Sequence, residues 1–191
     1  MGAFKPLLPF GEKTVIEASI DNLKAGGVEE VIVVLGHRGH EVRDRLAGYT
    51  VRFANNLESE SEMGVSIARG VEQVSRDADI VLIALADQPT IPPDIINFLI
   101  EERDRTGAQL IIPTYEGRGG HPVLIDLSFR DELSTLDSQR GLRGLFETHK
   151  ASILRLPVAS PYIVRDMDTW DDYRTLHVEM FGVKPSEDGS Q

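Results

Sequence analysis

The chain has 191 residues, no cysteine and a formal net charge of -11. That length suffices for one α/β core, and an acidic surplus of this size works against nonspecific binding to nucleic acid or to anionic membrane. The lack of cysteine excludes disulfides and thiolate chemistry; no apolar run reaches spanning length and the amino end lacks a signal peptide, so a cytoplasmic protein is expected.

The first eleven residues carry Pro6, Pro9 and Gly11, too many breakers for a helix, and are expected to form a loop. Thr14 and Glu17 read as a capping box, and Ile16, Ile20 and Leu23 recur at helical spacing until Gly26-Gly27. Residues 31–35 are an apolar strand, 41–46 a helix and 49–53 a shorter strand leading into Asn55 and Asn56. His37 and His40 lack a third ligand nearby and read as solvated side chains rather than a metal pair. A helix begins at Met63, with Ile67, Val71 and Val74 on one face.

Residues 80–85 are continuously apolar, as expected of a central parallel strand covered on both faces. Asp87 then falls at the strand's carboxyl edge, where ligands collect in open α/β sheets; its alternative role is a turn former bonded to nearby N–H groups. Pro92-Pro93-Asp94 opens a helix, and residues 110–113 and 123–125 are strands on either side of a glycine-rich turn. Helical stretches follow around Phe129, Leu133 and Leu136 and over 141–148. A strand over 153–158 and a helix over 170–180 close the fold. One domain over 1–183, a tail over 184–191 and a three-layer α/β architecture with a mostly parallel sheet are expected.

Five fragments in this order and spacing resemble the MobA-like nucleotidyltransferases, above all their molybdenum cofactor cytidylyltransferase branch. They are Met1-Gly2 with Lys5 and Leu7-Leu8-Pro9; Met63-Gly64-Val65-Ser66 with Gly70; Ala86-Asp87-Gln88-Pro89; Gly120-His121-Pro122-Val123; and Asp166-Met167-Asp168-Thr169 with Asp172-Tyr173. The resemblance implies a Rossmann-like fold, Mg2+, and transfer of a nucleoside monophosphate, CMP preferred, from a triphosphate to a phosphorylated pterin or another small phosphorylated acceptor. A molybdoenzyme partner is implied as well. A noncatalytic accessory protein of the same fold is the alternative from a different class.

Attack of an acceptor phosphate on the α-phosphorus brings two anions together, so the reaction needs charge neutralisation and in-line positioning more than a strong base. Mg2+ suits this because it takes one or two carboxylates alongside phosphate oxygens. Asp87 is the first candidate ligand; Asp166 and Asp168, two apart on an extended chain, share a face and complete the expected metal set. Lys5 is expected to offset triphosphate charge and, with Asp87, to be catalytic. The resemblance implies nucleotide contacts at Gly2, Lys5, Asn55, Gly64, Ser66 and Asp87, and acceptor contacts at Gly120, His121 and Pro122. The plainer roles are a solvated lysine, N-capping by Ser66, loop shaping by His121 and helix capping by Asp168. The family's first strand and glycine-rich phosphate loop precede the Met-Gly pair with which this chain begins, so weak triphosphate binding is expected.

Overall fold

The computed structural model describes residues 4–58, 63–137 and 139–185. The proline-punctuated start is more ordered than a loop: a 3-10 turn over Lys5–Leu7 leads into β1 (Pro9–Phe10), which reverses at Gly11 and pairs antiparallel with β2 (Lys13–Thr14). Gly11 sits at φ +65°, a conformation that favours glycine. α1 (Val15–Ala25) follows, its amino end closed by the Thr14/Glu17 capping box. It stops at Gly26, where a Cβ would lie 2.5 Å from that of Ile96, so a glycine is required for close passage of the next layer.

β3 (Ile32–Leu35) is followed by α2 (Gly39–Arg45) and β4 (Arg52–Asn55), which pairs parallel with β3. Both of the latter are shifted from their expected bounds. The backbone of Tyr49 and Val51 is taken up by turns closing α2, and the pairing of Leu35 with Asn55 extends β4 beyond residue 53.

α3 (Met63–Val71) leads to β5 (Ile80–Ile83), and α4 (Pro93–Thr106) to β6 (Leu110–Tyr115), β7 (Arg118–Gly119) and β8 (Val123–Asp126). α5 (Arg130–Ser134), α6 (Gly141–Thr148), β9 (Ile153–Pro157) and α7 (Trp170–Phe181) complete the chain. β5 corrects the expectation for residues 80–85. It ends at Ile83, pairs antiparallel with β8, and remains half-buried along its length. The ladder ends there because β8 starts after Pro122, which has no N–H to donate opposite residue 84.

Among the described residues the larger sheet has five strands, β5-β8-β6-β7 with β9 also paired to β6. β5, β6 and β9 run one way and β8 and β7 the other, so the mixed α/β fold keeps the expected parallel direction in its main strands. β3 and β4 form a separate ladder, with no hydrogen-bonded strand between β3 and β5 among the described residues. Helices cover the break on both sides. α1 packs Ile16 and Ile20 against β3 and joins Leu23 to the cluster holding Leu82, while α3 packs Ile67 and Val71 against Val81 and Ile83 and passes close to Val34 at Gly70.

Candidate functional site

The site assembles where both ends of the chain meet the carboxyl end of β5. The β1–β2 hairpin lies on α7: the Tyr173 hydroxyl donates to the Pro9 carbonyl at 2.5 Å, and the Phe10 ring meets Phe181 edge-on at 4.9 Å. Leu8, Phe10, Val15, Met167, Tyr173 and Leu176 are buried together beneath it. This packing carries the turn that bears Lys5 to the residues just ahead of α7. The helix is capped by Thr169 and Asp172, whose side chains satisfy each other's backbone N–H groups, so Asp168 is not needed as a cap.

Asp168 instead accepts a hydrogen bond from the Lys5 ammonium at 2.7 Å, and Asp87 accepts one from the same nitrogen at 3.3 Å. Lys5 and Asp87 are each about a quarter exposed, whereas Asp168 is 69% exposed, so the cluster opens to solvent on the Asp168 side. Partial burial by itself would lower the Lys5 pKa; the hydrogen bond it donates to Asp168 and the charge of Asp87 outweigh it and hold the ammonium above the ordinary lysine value.

Asp166 is held apart from this pair. It accepts from the Gln88 amide at 3.2 Å, and Gln88 is almost completely buried. The other end of that amide, Gln88 Oε1, is buried without a hydrogen-bond partner among the described residues and belongs to a residue lining a small cavity between Ser19, Asn22, Ile96 and Pro122. Asn22 donates to the Pro89 carbonyl at 2.8 Å, tying α1 to the segment that carries Asp87 and Gln88.

The expected three-carboxylate set is therefore divided. Asp87 and Asp168 share one cation, Asp166 takes an amide, and among the described residues no group of three or more His, Cys, Asp or Glu side chains is arranged to hold a metal. Two carboxylates converging on one cation are still a fitting donor set for a hard divalent ion, which needs few protein ligands when phosphate supplies the others.

The remaining candidates occupy a second cluster and a structural loop. Ser66 accepts from Asn56 at 2.9 Å, and Asn56 is buried, whereas Asn55 is exposed and accepts from Arg43 at 3.4 Å. Asn56, not Asn55, thus meets the start of α3. Gly64 is buried against Asp137 and Gly141, and a Cβ there would stand 3.2 Å from the Asp137 carbonyl. Gly120 passes under Ile163 so closely that a Cβ would lie 2.1 Å from its carbonyl oxygen. His121 bonds the Ile83 carbonyl through Nδ1 at 3.2 Å, and Pro122 lines the cavity beside Gln88, so these three shape the end of β5. Gly2 lies outside the described residues. Sequence reasoning missed Gln88 and Asn56 as site builders; the signal available was a bulky amide placed directly after a strand and beside proline, and a doubled Asn at a strand end.

A Rossmann-like α/β fold with charged groups gathered at the carboxyl end of a parallel-directed strand is the arrangement in which such folds collect ligands, and the family match makes this protein an enzyme of the nucleotidyltransferase class. Residues 1–153 match the MobA-like NTP transferase domain, and the chain belongs to that family. Among curated relatives, nicotine blue oxidoreductase of Paenarthrobacter nicotinovorans is 28% identical over 90% of this chain and 87% of its own. Molybdenum cofactor cytidylyltransferase of Escherichia coli is 26% identical over 92% and 88%. Among solved structures, a nucleotidyl transferase from Methanothermobacter thermautotroptrophicus superposes with a TM-score of 0.79 at 28% identity, covering 92% of this chain and 84% of that one. Mycobacterium tuberculosis Rv0371c in complex with manganese superposes with a TM-score of 0.73 at 26% identity and 92% coverage of each chain.

Proposed function

We propose that this enzyme transfers a nucleoside monophosphate, CMP in preference, from a triphosphate to a phosphorylated pterin, with release of pyrophosphate, in the cytoplasm. The observation that carries the reading is the Lys5 ammonium held between Asp87 and Asp168 at the end of β5. Residues 1–183 act as one nucleotidyltransferase domain with 184–191 as a tail, and a molybdoenzyme is the proposed recipient of the product. The cytidylyltransferase relative supports the base and the acceptor. Another small phosphorylated acceptor would be handled by the same groups.

Asp87 and Asp168 would hold Mg2+, which when bound supplies positive charge to the phosphates. The manganese complex of a relative supports a divalent ion here. Lys5 is released from the carboxylates to neutralise phosphate oxygens, so a cation already at the site is redirected rather than recruited from solvent. Gln88 keeps Asp166 from turning toward Asp87, which limits the negative charge the triphosphate meets. Ser66, oriented by Asn56, and the backbone at the start of α3 offer hydrogen bonds to a cytosine edge. Gly120, His121 and Pro122 face the acceptor from the loop that caps β5.

The family hosts an oxidoreductase name as well, so the assay must read the phosphoryl chemistry itself. Release of pyrophosphate from each of the four triphosphates, with Mg2+ and pterin or sugar phosphates as acceptors, is the test. CTP with a phosphorylated pterin is expected to be fastest. Binding of triphosphate with no release in any combination would favour the accessory-protein alternative.

A further inference from the structure

A second concave surface lies between α6 and the β6–β9 edge of the sheet. It has a volume of about 590 Å³, within the range of small-molecule sites, and is lined by Ile112, Phe146 and Ile153 with Arg143, Lys150 and Arg155 around them. Ile153 and Arg155 are two apart on β9 and so face the same side, and Arg155 stands opposite Ile112 in the parallel register. α6 contributes Arg143 and Phe146. Three inter-strand steps, β5 to β8 to β6 to β9, separate this groove laterally from Asp87's strand, roughly 14 Å at ordinary sheet spacing.

The cations lining the groove lack the carboxylate partners that most arginines of this chain have, a lack shared among the described residues by Arg76 and Arg118. In a chain with 31 acidic and 20 basic side chains a cation readily finds a carboxylate, and Arg38, Arg45, Arg52, Arg103 and Arg165 each do so. Arg143, Lys150 and Arg155 have no side-chain hydrogen bond or ion pair among the described residues. The one acid on the lining, Glu147, is taken up by Arg140. Positive charge left uncompensated in a strongly acidic protein, around an apolar floor with an aromatic ring, is what an anionic ligand requires.

We propose that this groove binds a small organic anion that carries at least two negative charges on a flat apolar ring system, at a site separate from the Lys5 cluster. The ring lies on Phe146 and Ile153, and the anionic group meets Arg143, Lys150 and Arg155. Guanidinium groups suit this role because they present several donors to phosphate or carboxylate oxygens at once. The site does not depend on the transferase reading.

Titration calorimetry of the full chain with 1-naphthyl phosphate tests it, with inorganic phosphate as a charge-only control at equal ionic strength. We expect naphthyl phosphate to bind at least tenfold more tightly than inorganic phosphate, and binding to weaken as salt is raised. The double variant Arg143→Ala, Arg155→Ala should weaken it at least tenfold with an unchanged melting curve, as both side chains are exposed. Lys5→Ala should leave it within twofold of the parent. Loss on Lys5→Ala, retention in the double variant, or equal affinity for inorganic phosphate would each overturn the proposal. Charge reversal at the same two positions, Arg143→Glu with Arg155→Glu, repeats the test should the alanine variant melt early.

Discussion

The ammonium of Lys5 and the carboxylate of Asp168 lie 2.7 Å apart although 163 residues separate them in the chain. The contact exists because a short hairpin rests on the last helix, so the geometry of the proposed site and the packing of the hairpin on α7 are one structural problem. Disturbing the aromatic contacts of α7 will move Lys5 without touching it.

Asp87→Asn keeps the side-chain volume and removes one of the two charges facing Lys5. Pyrophosphate release is expected to fall by about 10²–10³-fold, the scale of losing one electrostatic group at a reacting centre. Asp168→Ala should cost more activity than Asp171→Ala, since Asp171 is almost wholly exposed and, among the described residues, pairs with Arg174 alone. Equal losses for Asp168 and Asp171 would remove Asp168 from the mechanism.

Gln88→Leu removes both the donor to Asp166 and a buried oxygen without a partner. An unsatisfied buried polar atom costs about 1–3 kcal/mol, so melting temperature should hold or rise. Manganese affinity, read by electron paramagnetic resonance, should change, because Asp166 becomes free to turn. A lower melting temperature with unaltered manganese binding would mean that the amide serves packing alone.

Glu17 is nearly buried and joins the α1 cap to Arg45. Its burial acts to raise its pKa, but the hydrogen bonds from Arg45 and Thr14 prevail and hold it below the ordinary glutamate value of 4.5. A depressed folded-state pKa stabilises the fold above the unfolded value, and this is lost as pH falls through the folded one. Glu17→Gln should therefore cost roughly 1–2 kcal/mol at pH 7, and the gap to the parent should narrow below about pH 4.5, as seen by urea unfolding at stepped pH.

Among the described residues no strand pairs with the facing edges of β3 and β5, which leaves room for a further strand. Four apolar residues half-buried on β5 forgo part of the roughly 1.5–3 kcal/mol that burying each such side chain provides. Adding a dozen or so residues ahead of Met1, an apolar strand and a glycine-rich turn, should raise both the melting temperature and triphosphate affinity. Unchanged values for both would mean that helices α1 and α3 already close the break.

Much of this was legible where chemistry is local. The Thr14/Glu17 capping box and the glycine and proline stops follow from side chains within four residues of each other, and the family followed from five short fragments in register; the Thr169/Asp172 box at α7 was not read. What depends on distant packing was not. Asn55 and Asn56 exchange roles because β4 runs to Asn55, and one residue of shift sends a side chain to the other face. Residues 80–85 look like a doubly covered parallel strand because composition reports apolar character, not the direction or number of neighbours. Asp166 and Asp168 share a face of an extended chain, yet a buried amide claims one and a lysine the other. That division is set by Gln88 and Lys5, which approach from separate elements.

The break between the two ladders also bears on how the molecule opens. Backbone hydrogen bonds couple β5 to β9 through β8 and β6, and β3 to β4, but nothing of that kind joins the two sets among the described residues. Amide exchange should accordingly divide into two cooperative units with different opening free energies. The β3–β4 unit, held to the rest by side-chain packing with α1 and α3, should exchange first, carrying Asn55 and Asn56 with it while the ladders of β5, β8, β6 and β9 stay protected.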